Sequence, residues 1–214
     1  MLKICLIDYG AGNLKSVYNA VNRVIVDNKL NAVIEVTHDS TVLKSADKII
    51  LPGVGAFKAC IDGLRQHDGL VETLNNKALG AQTPFLGICV GMQMMAEIGE
   101  EFGTHEGLGY ISGTVSVFKG DTLKIPHMGW NKIIKTPTHS QHPVLKDIET
   151  GDYAYFVHSY KMTTEQKFIA LECDYGVRFP AFVCHENMVG AQFHPEKSQK
   201  TGLTLLRNFL QWTI

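Results

Sequence analysis

The chain has 214 residues, of which 45% are hydrophobic, and a formal net charge of −1. This length predicts one sizeable core and a single domain over residues 1–214. A charge so near zero gives no electrostatic reason to expect nucleic acid or an anionic membrane as a partner. No segment is long and apolar enough to predict a membrane span. The five cysteines lack Cys-x-x-Cys spacing, so we expect free thiols, a reducing cytoplasmic location and no zinc knuckle.

The first 80 residues alternate between short apolar runs and apolar residues at helical spacing. Strands are predicted at residues 3–8, 32–36 and 48–51, and helices at residues 14–25, 56–66 and 70–79. The polar residues 39–47 predict a short helix or a loop. This alternation predicts an α/β fold with an open, mostly parallel twisted sheet and helices on both faces.

After Gly99 the pattern changes to short alternating or aromatic runs with few helices between them. These runs lie at residues 113–118, 131–135, 153–160, 168–173, 181–184 and 189–193. They predict antiparallel strands added to one side of the sheet. The prolines in residues 135–143 favour a surface loop. The last stretch has apolar residues on one face and predicts a docked helix, with Ser198 or Thr201 as its cap.

The most informative stretch is residues 84–93, where an apolar run ends at Cys89 between Gly87 and Gly91. A helix is predicted at residues 92–96, so Cys89 stands at a strand–turn–helix corner. The Gly-x-Ser-x-Gly elbow of hydrolases has the same arrangement, with oxygen in place of sulfur. Free N–H groups at the start of a helix favour a thiolate. Cys89 is therefore the predicted nucleophile.

Two other glycine-rich stretches follow predicted strands. The segment Pro52-Gly53-Val54-Gly55 comes directly after the third strand, and its glycines permit either a turn or an anion cradle. Gly10-x-Gly12 is the start of a dinucleotide fingerprint, but Lys15 holds the third glycine position. A tight turn is the favoured interpretation of Gly10-x-Gly12.

A cysteine nucleophile needs a base, and the base needs a group that fixes its tautomer. Phe193-His194-Pro195-Glu196 supplies both. Pro195 favours an extended His194, which would place the His194 and Glu196 side chains on one side of the chain. With nine histidines present, such a pair could be a chance surface contact. However, it ends a predicted strand, and the carboxyl edge of the sheet is where ligands bind.

The remaining cysteines and histidines are weaker candidates. Four cysteines lie in strand or helix patterns and are predicted to pack in the core: Cys5, Cys60, Cys173 and Cys184. Three histidines are predicted to be hydrogen-bonded core or rim residues: His127, His158 and His185. His139 and His142 lack a third ligand at useful spacing, so no metal is expected.

Three of these blocks, residues 84–93, 52–55 and 193–196, resemble the class I (triad) glutamine amidotransferases, and together they span the chain. Residues 8–13, 126–131 and 155–160 are similar to blocks of the glutaminase subunits within this family that serve histidine biosynthesis. The resemblance implies a flavodoxin-like fold and hydrolysis of glutamine to glutamate and ammonia, without a cofactor.

The resemblance also implies a role for each matching residue. Cys89 would attack the glutamine amide, His194 would act as general base and acid, and Glu196 would orient His194. The backbone N–H of Val90 and one from the Gly53–Val54 segment would bind the oxyanion. Four residues would contact the substrate glutamine: Gln93, His158, Ser159 and Tyr160.

Because one glutaminase domain uses the whole chain, the ammonia acceptor must lie on another chain. The resemblance implies a cyclase subunit with a (β/α)8 barrel, paired with this chain as a heterodimer. Trp130, Asn131 and Lys197 are candidate interface residues, although Trp130 could be a core residue and Lys197 a solvated one. Two alternatives stay open. The chain could serve another synthase, such as that for pyridoxal phosphate, or it could be a thiol sensor, which would not need the His194–Glu196 pair.

Overall fold

The structure is a computed structural model that describes residues 1–119 and 123–214. The strands are β1 (Leu2–Ile7), β2 (Ala32–Thr37), β3 (Lys48–Gly53), β4 (Phe85–Cys89), β5 (Ala96–Gly99), β6 (His105–Glu106), β7 (Ile111–Val117), β8 (His127–Lys135), β9 (Tyr153–His158), β10 (Tyr160–Thr164), β11 (Ile169–Asp174), β12 (Arg178–His185) and β13 (Met188–Ala191). The helices are α1 (Leu14–Asp27), α2 (Ser40–Leu43), α3 (Phe57–Arg65), α4 (Leu70–Asn75), α5 (Val90–Gln93) and α6 (Gln199–Gln211).

The main sheet has nine strands in the order β2-β1-β3-β4-β13-β12-β11-β8-β9. Its first five strands are parallel and its last four are antiparallel. This confirms the predicted parallel sheet with an antiparallel addition. A second sheet of four strands has the order β10-β7-β5-β6.

Helices cover both faces of the parallel half. The strand order reverses at β1, and crossovers between parallel strands are right-handed. Therefore α1 lies on one face, and α2, α3 and α4 lie on the other. The C-terminal α6 packs against α1. Every residue of β3 and β4 is buried, as expected for central parallel strands covered on both sides.

The structure corrects two predicted helices. The helix expected at residues 92–96 is only the single turn α5, and Ala96 begins β5, which pairs with β6 and β7. The methionines of this stretch are fully buried, so no polar face marks a helix there, and strand pairing decides the conformation. The helix expected at residues 70–79 ends at Asn75 and continues as a π-helical turn to Gly80.

Two smaller corrections concern the second half. The run at residues 153–160 is broken at Ser159 into β9 and β10, which join different sheets. Ser198 is at the N-cap position of α6 but makes no capping bond. Its hydroxyl instead donates to His194 O and accepts the Tyr155 N–H. In the first half, the chain bends at Gly10-x-Gly12, with φ of 83° at Gly10 and 130° at Gly12. No helix of the residues described could cross a lipid bilayer.

Candidate active site

Cys89 lies at a strained corner between β4 and α5. Its φ of 54° and ψ of −111° are unusual for a residue with a side chain and cost on the order of 1–3 kcal/mol. The corner presses against the end of β3, since a Cβ on Gly91 would lie 1.9 Å from Leu51 O. A Cβ on Gly87 would lie 2.7 Å from Gly91 O. Only glycine fits at either position, so the surrounding backbone holds Cys89 in place.

The helix that follows Cys89 contributes less than expected. Because α5 has four residues, its aligned peptide dipoles are few, and the support for a thiolate from a helix macrodipole is correspondingly small. The Val90 N–H still stands in the first turn, where no intrahelical acceptor exists. It also stands at the end of the β3–β4 ladder, next to the Gly53–Cys89 pair, and it is the donor that the predicted oxyanion site requires.

A buried amide that the sequence analysis did not identify also contacts the thiol. Gln192 is fully buried, and its Nε2 lies 3.9 Å from Cys89 Sγ. The Gln192 Oε1 atom accepts a hydrogen bond of 3.0 Å from Gln93 Nε2, which fixes the direction of the Gln192 amide. The thiol also lies 3.9 Å from Val157 O. Gln192 therefore turns an N–H toward the sulfur, where it can stabilise negative charge.

His194 arrives from β13, the strand next to β4 in the sheet. Its backbone is extended, with φ of −96° and ψ of 99°, as predicted, and its N–H donates to Tyr155 O at 2.9 Å. The chain does not stay extended beyond His194, because Pro195–Lys197 form a 3-10 turn. This turn still brings Glu196 Oε1 to 2.8 Å from His194 Nδ1.

The charges around His194 favour its protonated form. Burial lowers the pKa of His194, but the adjacent Cys89 and Glu196 side chains outweigh burial and raise the pKa to about 9. His194 Nε2 is buried and forms no hydrogen bond to any residue in the described ranges. Cys89 therefore raises the pKa of His194 because it lies close to the ring, and not through a hydrogen bond. Nε2 is thus available to exchange a proton with a reacting group.

These groups open into one cavity of about 340 Å³. The cavity is lined by Val54, Gly55, Cys89, Val90, Gln93, Glu101, Pro126, Val157, His158, Ser159, Tyr160, His194 and Lys197. The elbow, the segment after β3 and the His-Pro-Glu turn therefore meet in one crevice, as their positions in the sequence predict. Gly53 lies behind this wall, where it pairs with Cys89 in the sheet.

Three of the four predicted glutamine-binding residues, Gln93, His158 and Tyr160, are joined by hydrogen bonds in the wall of the cavity. Burial lowers the pKa of His158 to about 3 and that of His127 to about 4, so both rings are neutral. His158 Nδ1 and Gln93 Nε2 both donate to Tyr160 O, at 2.8 and 2.9 Å. His127 Nδ1 donates to His158 Nε2 at 3.2 Å. The Tyr160 carbonyl thus has no lone pair left for a ligand.

Glu101 is a second cavity residue that the sequence analysis did not identify. Its Oε2 accepts the Phe57 N–H at 2.7 Å, which ties it to the start of α3. Glu101 lies in a turn after β5, within a stretch where no motif is present. Its carboxylate gives the cavity a group suited to a ligand ammonium.

The candidate interface residues lie beside this cavity. Trp130 is 46% exposed and the neighbouring Met128 is 62% exposed, so the core alternative for Trp130 is wrong. The Trp130 ring packs edge-on against Tyr155 at 5.9 Å, and Lys197 Nζ lies 5.7 Å from the Tyr155 ring centre. Asn131 points inward instead, because its Nδ2 donates to Asp174 O at 3.0 Å.

No metal site accompanies the cavity: the residues described contain no group of three or more side chains suited to hold an ion. The other cysteines are buried, as predicted, and all five are free. His139 contacts the Lys167 carbonyl, and His142 Nδ1 accepts the Val144 N–H. Both histidines therefore have ordinary hydrogen-bond partners.

Comparison with known proteins identifies the family. Residues 5–212 match the sequence model of the class-I glutamine amidotransferases. The chain belongs to this family. This amidotransferase is 47% identical over 214 residues to the imidazole glycerol phosphate synthase subunit HisH of Rhodospirillum rubrum, with 99% of each chain covered. The Brucella abortus HisH subunit is also 47% identical, over 218 residues and 99% of each chain. Within its family, the chain therefore belongs with the HisH subunits.

Solved structures agree with this fold. One glutamine amidotransferase superposes with a TM-score of 0.71 at 14% identity, covering 97% of both chains. The glutaminase domain of Trypanosoma brucei CTPS, solved with bound acivicin, superposes with a TM-score of 0.69 at 16% identity. That match covers 99% of this chain and 92% of the other. At such identities the likeness concerns the fold alone.

Proposed function

We propose that this amidotransferase hydrolyses glutamine through Cys89, His194 and Glu196 and passes the ammonia to a synthase partner. The observation that carries the proposal is that the strained Cys89 corner and His194, which are distant in sequence, open into the same cavity, while Glu196 holds the other nitrogen of the His194 ring. A thiol beside an imidazole whose other nitrogen is held by a carboxylate is the arrangement that nucleophilic catalysis requires.

The reaction follows from these positions. The Cys89 thiol gives its proton to His194 Nε2, its sulfur attacks the side-chain amide carbon of glutamine, and the amide oxygen becomes an oxyanion. His194 donates the Nε2 proton to the departing nitrogen, which leaves as ammonia, and a thioester remains on Cys89. Neutral His194 then removes a proton from water, which attacks the thioester and releases glutamate. Glu196 holds Nδ1 throughout, so that Nε2 faces the reaction.

The oxyanion would be bound by the backbone N–H of Val90 and by that of Val54. Losing one such donor typically costs about 10²- to 10³-fold in rate. Val54 is 39% exposed, and Gly55 has a φ of 98°, so the segment has room to turn. We propose that partner binding sets the orientation of this donor.

The substrate backbone groups would bind at the opposite wall of the cavity. Glu101 would accept the α-ammonium group, and the backbone around His158 and Ser159 would hold the α-carboxylate. Gln93 spends its N–H groups on Tyr160 and Gln192, which leaves its Oε1 as the atom that could contact substrate. The Tyr160 carbonyl would not contact the substrate, because it already accepts hydrogen bonds from Gln93 and His158. Tyr160 would instead hold these two side chains in place.

The partner would be a cyclase subunit with a (β/α)8 barrel that forms a heterodimer with this chain. It would use the ammonia to make imidazole glycerol phosphate and an aminoimidazole carboxamide ribotide. The exposed Met128 and Trp130 and the half-buried Tyr155 form a surface next to the cavity, with Lys197 beside Tyr155. Methionine and aromatic residues are enriched at interfaces. The five free cysteines accord with a cytoplasmic location.

The test is ammonia release from glutamine, measured with and without the candidate cyclase and its ribotide ligand. We expect slow hydrolysis by the isolated chain and a marked increase in the complex. Cys89→Ala should lower hydrolysis by about 10⁴-fold or more, whereas Cys173→Ala, which changes a buried thiol away from the cavity, should leave it unchanged. Wild-type hydrolysis in Cys89→Ala, or no hydrolysis by the complex, would refute the proposed function.

A further inference from the structure

Two buried donors that the proposed chemistry does not use contact residues 52–55, the segment that ends β3 and leads to α3. Tyr9, directly beyond the loop-side end of β1, donates its hydroxyl to Pro52 O at 2.6 Å. Cys60, on α3, donates its thiol to Val54 O at 3.4 Å. Both side chains are almost fully buried. The two carbonyls are thus held from two different parts of the chain, the loop after β1 and the helix α3.

The positions of these two carbonyls leave one peptide between them. Each peptide unit is planar, so fixing its carbonyl also fixes the N–H on the other side of the same plane. Tyr9 fixes the plane between Pro52 and Gly53, and Cys60 fixes the plane between Val54 and Gly55. The plane between Gly53 and Val54, which carries the Val54 N–H, is held by neither side chain; it adjoins the sheet, where Gly53 pairs with Cys89.

We propose that Tyr9 and Cys60 are positioning residues that clamp the peptide planes on both sides of the Gly53–Val54 peptide, so that this peptide alone can turn its N–H toward the oxyanion. The inference deepens the proposed function and rests on it. Without the clamp, any movement of the segment would spread over three planes, and the donor would reach the oxyanion in a smaller fraction of molecules.

The chemistry of the two side chains suits this role. Burial raises the pKa of Tyr9 and the pKa of Cys60, so both groups stay protonated and remain donors at neutral pH. A hydroxyl and a thiol can each give one proton to one carbonyl. The clamp also joins this segment to α3, which begins at Phe57, two residues after Gly55.

The test compares donor removal with matched removals elsewhere, in the complex with the cyclase and its ribotide ligand. Tyr9→Phe and Cys60→Ala should each lower kcat for glutamine by about 10-fold, a fraction of the 10²- to 10³-fold that loss of a whole oxyanion donor costs. KM for glutamine should change less than about twofold, because ground-state binding does not use the oxyanion donor. Cys60→Ser should restore most of kcat, because its hydroxyl is again a donor.

The controls are a tyrosine and a cysteine of similar burial. Tyr110 donates its hydroxyl to Asn75 Oδ1 at 2.8 Å, so Tyr110→Phe removes an equivalent bond outside the cavity. Cys173→Ala removes an equivalent thiol. Should Tyr9→Phe fail to fold, the pair Cys60→Ala and Cys60→Ser decides alone.

Two results would overturn the clamp: kcat unchanged in Tyr9→Phe and Cys60→Ala, or an equal fall of kcat in Tyr110→Phe and Cys173→Ala. A fall that Cys60→Ser fails to reverse would also count against it. Failure of the proposed function looks different, because the wild-type complex would then release no ammonia and a glutamine-like electrophile would not label Cys89. Labelling of Cys89 with no difference among the variants would remove the clamp and leave the proposed function intact.

Discussion

The ends of β3 and β4 lie side by side in the sheet, but they are built in opposite ways. At the end of β4, Cys89 is buried, and the space beside Gly91 is so small that a Cβ would lie 1.9 Å from Leu51 O. At the end of β3, Val54 is partly exposed, and a Cβ on Gly55 would meet no atom within 4 Å. The proposed nucleophile is held by packing, whereas the proposed oxyanion donor beyond Gly53 has room to move. A partner that turned Val54 and Gly55, without moving the packed strand β3 itself, would therefore leave the Cys89 corner in place.

We expect the largest effect from a substitution at Gly91, in the tightly packed corner at the end of β4. Gly91→Ala forces the corner away from β3, and misplacement of a reacting group by about 1 Å costs on the order of 10²-fold. With the larger clash we expect glutamine hydrolysis to fall by about 10³-fold or more, together with a lower melting temperature. Gly80→Ala, at an open and exposed site, is the matched control and should change neither. Normal activity in Gly91→Ala would show that the corner is not held by this contact.

Glu196→Gln tests whether the base is held as firmly as the nucleophile. Glu196 is one of the groups that raise the pKa of His194 to about 9, so the imidazolium persists to that pH. The protonated His194 ring stabilises the fold fully below about pH 6.5, and this stabilisation is lost as the pH rises through about 9. In the variant we expect kcat to fall about 10²-fold and its alkaline limb to move to lower pH. A pH profile of kcat provides the measurement, and an unshifted limb would contradict the assignment.

Partner binding is proposed to act on the end of β3, so the proposed partner surface is the third place to test. We expect the smallest effect there. Trp130→Ala removes an exposed aromatic ring and should weaken binding to the cyclase by about 30-fold, as for an interface hot spot. Hydrolysis by the isolated chain should not change. Val26→Ala, which shortens an exposed side chain on α1, serves as the control. Titration calorimetry measures both variants, and equal dissociation constants would place the interface elsewhere.

The catalytic corner was predictable because its signals are local. An apolar run that stops at Gly-x-Cys-x-Gly, and another that stops at His-Pro-Glu, indicate strand ends, and parallel strand ends meet at one edge. The short α5 was not predictable, since Met94 and Met95 are buried for tertiary reasons. Gln192 did leave a signal, namely a single amide within an apolar strand. Glu101 left none, because only the folding of the second sheet brings it to the cavity.

The adjacency of β4 and β13 has a consequence for how this enzyme can change over time. Neighbouring strands lie about 4.8 Å apart because backbone hydrogen bonds set their spacing. The separation of the Cys89 sulfur and the His194 imidazole therefore depends largely on main-chain atoms, which every sequence possesses. Side chains elsewhere can then be replaced freely, and solved structures at 14% and 16% identity do keep the fold. This arrangement does not tolerate a one-residue shift in the register of either strand, because the shift would turn the side chains of that strand to the opposite face. Insertions inside β4 or β13 should therefore be far more damaging than insertions in the connections around them.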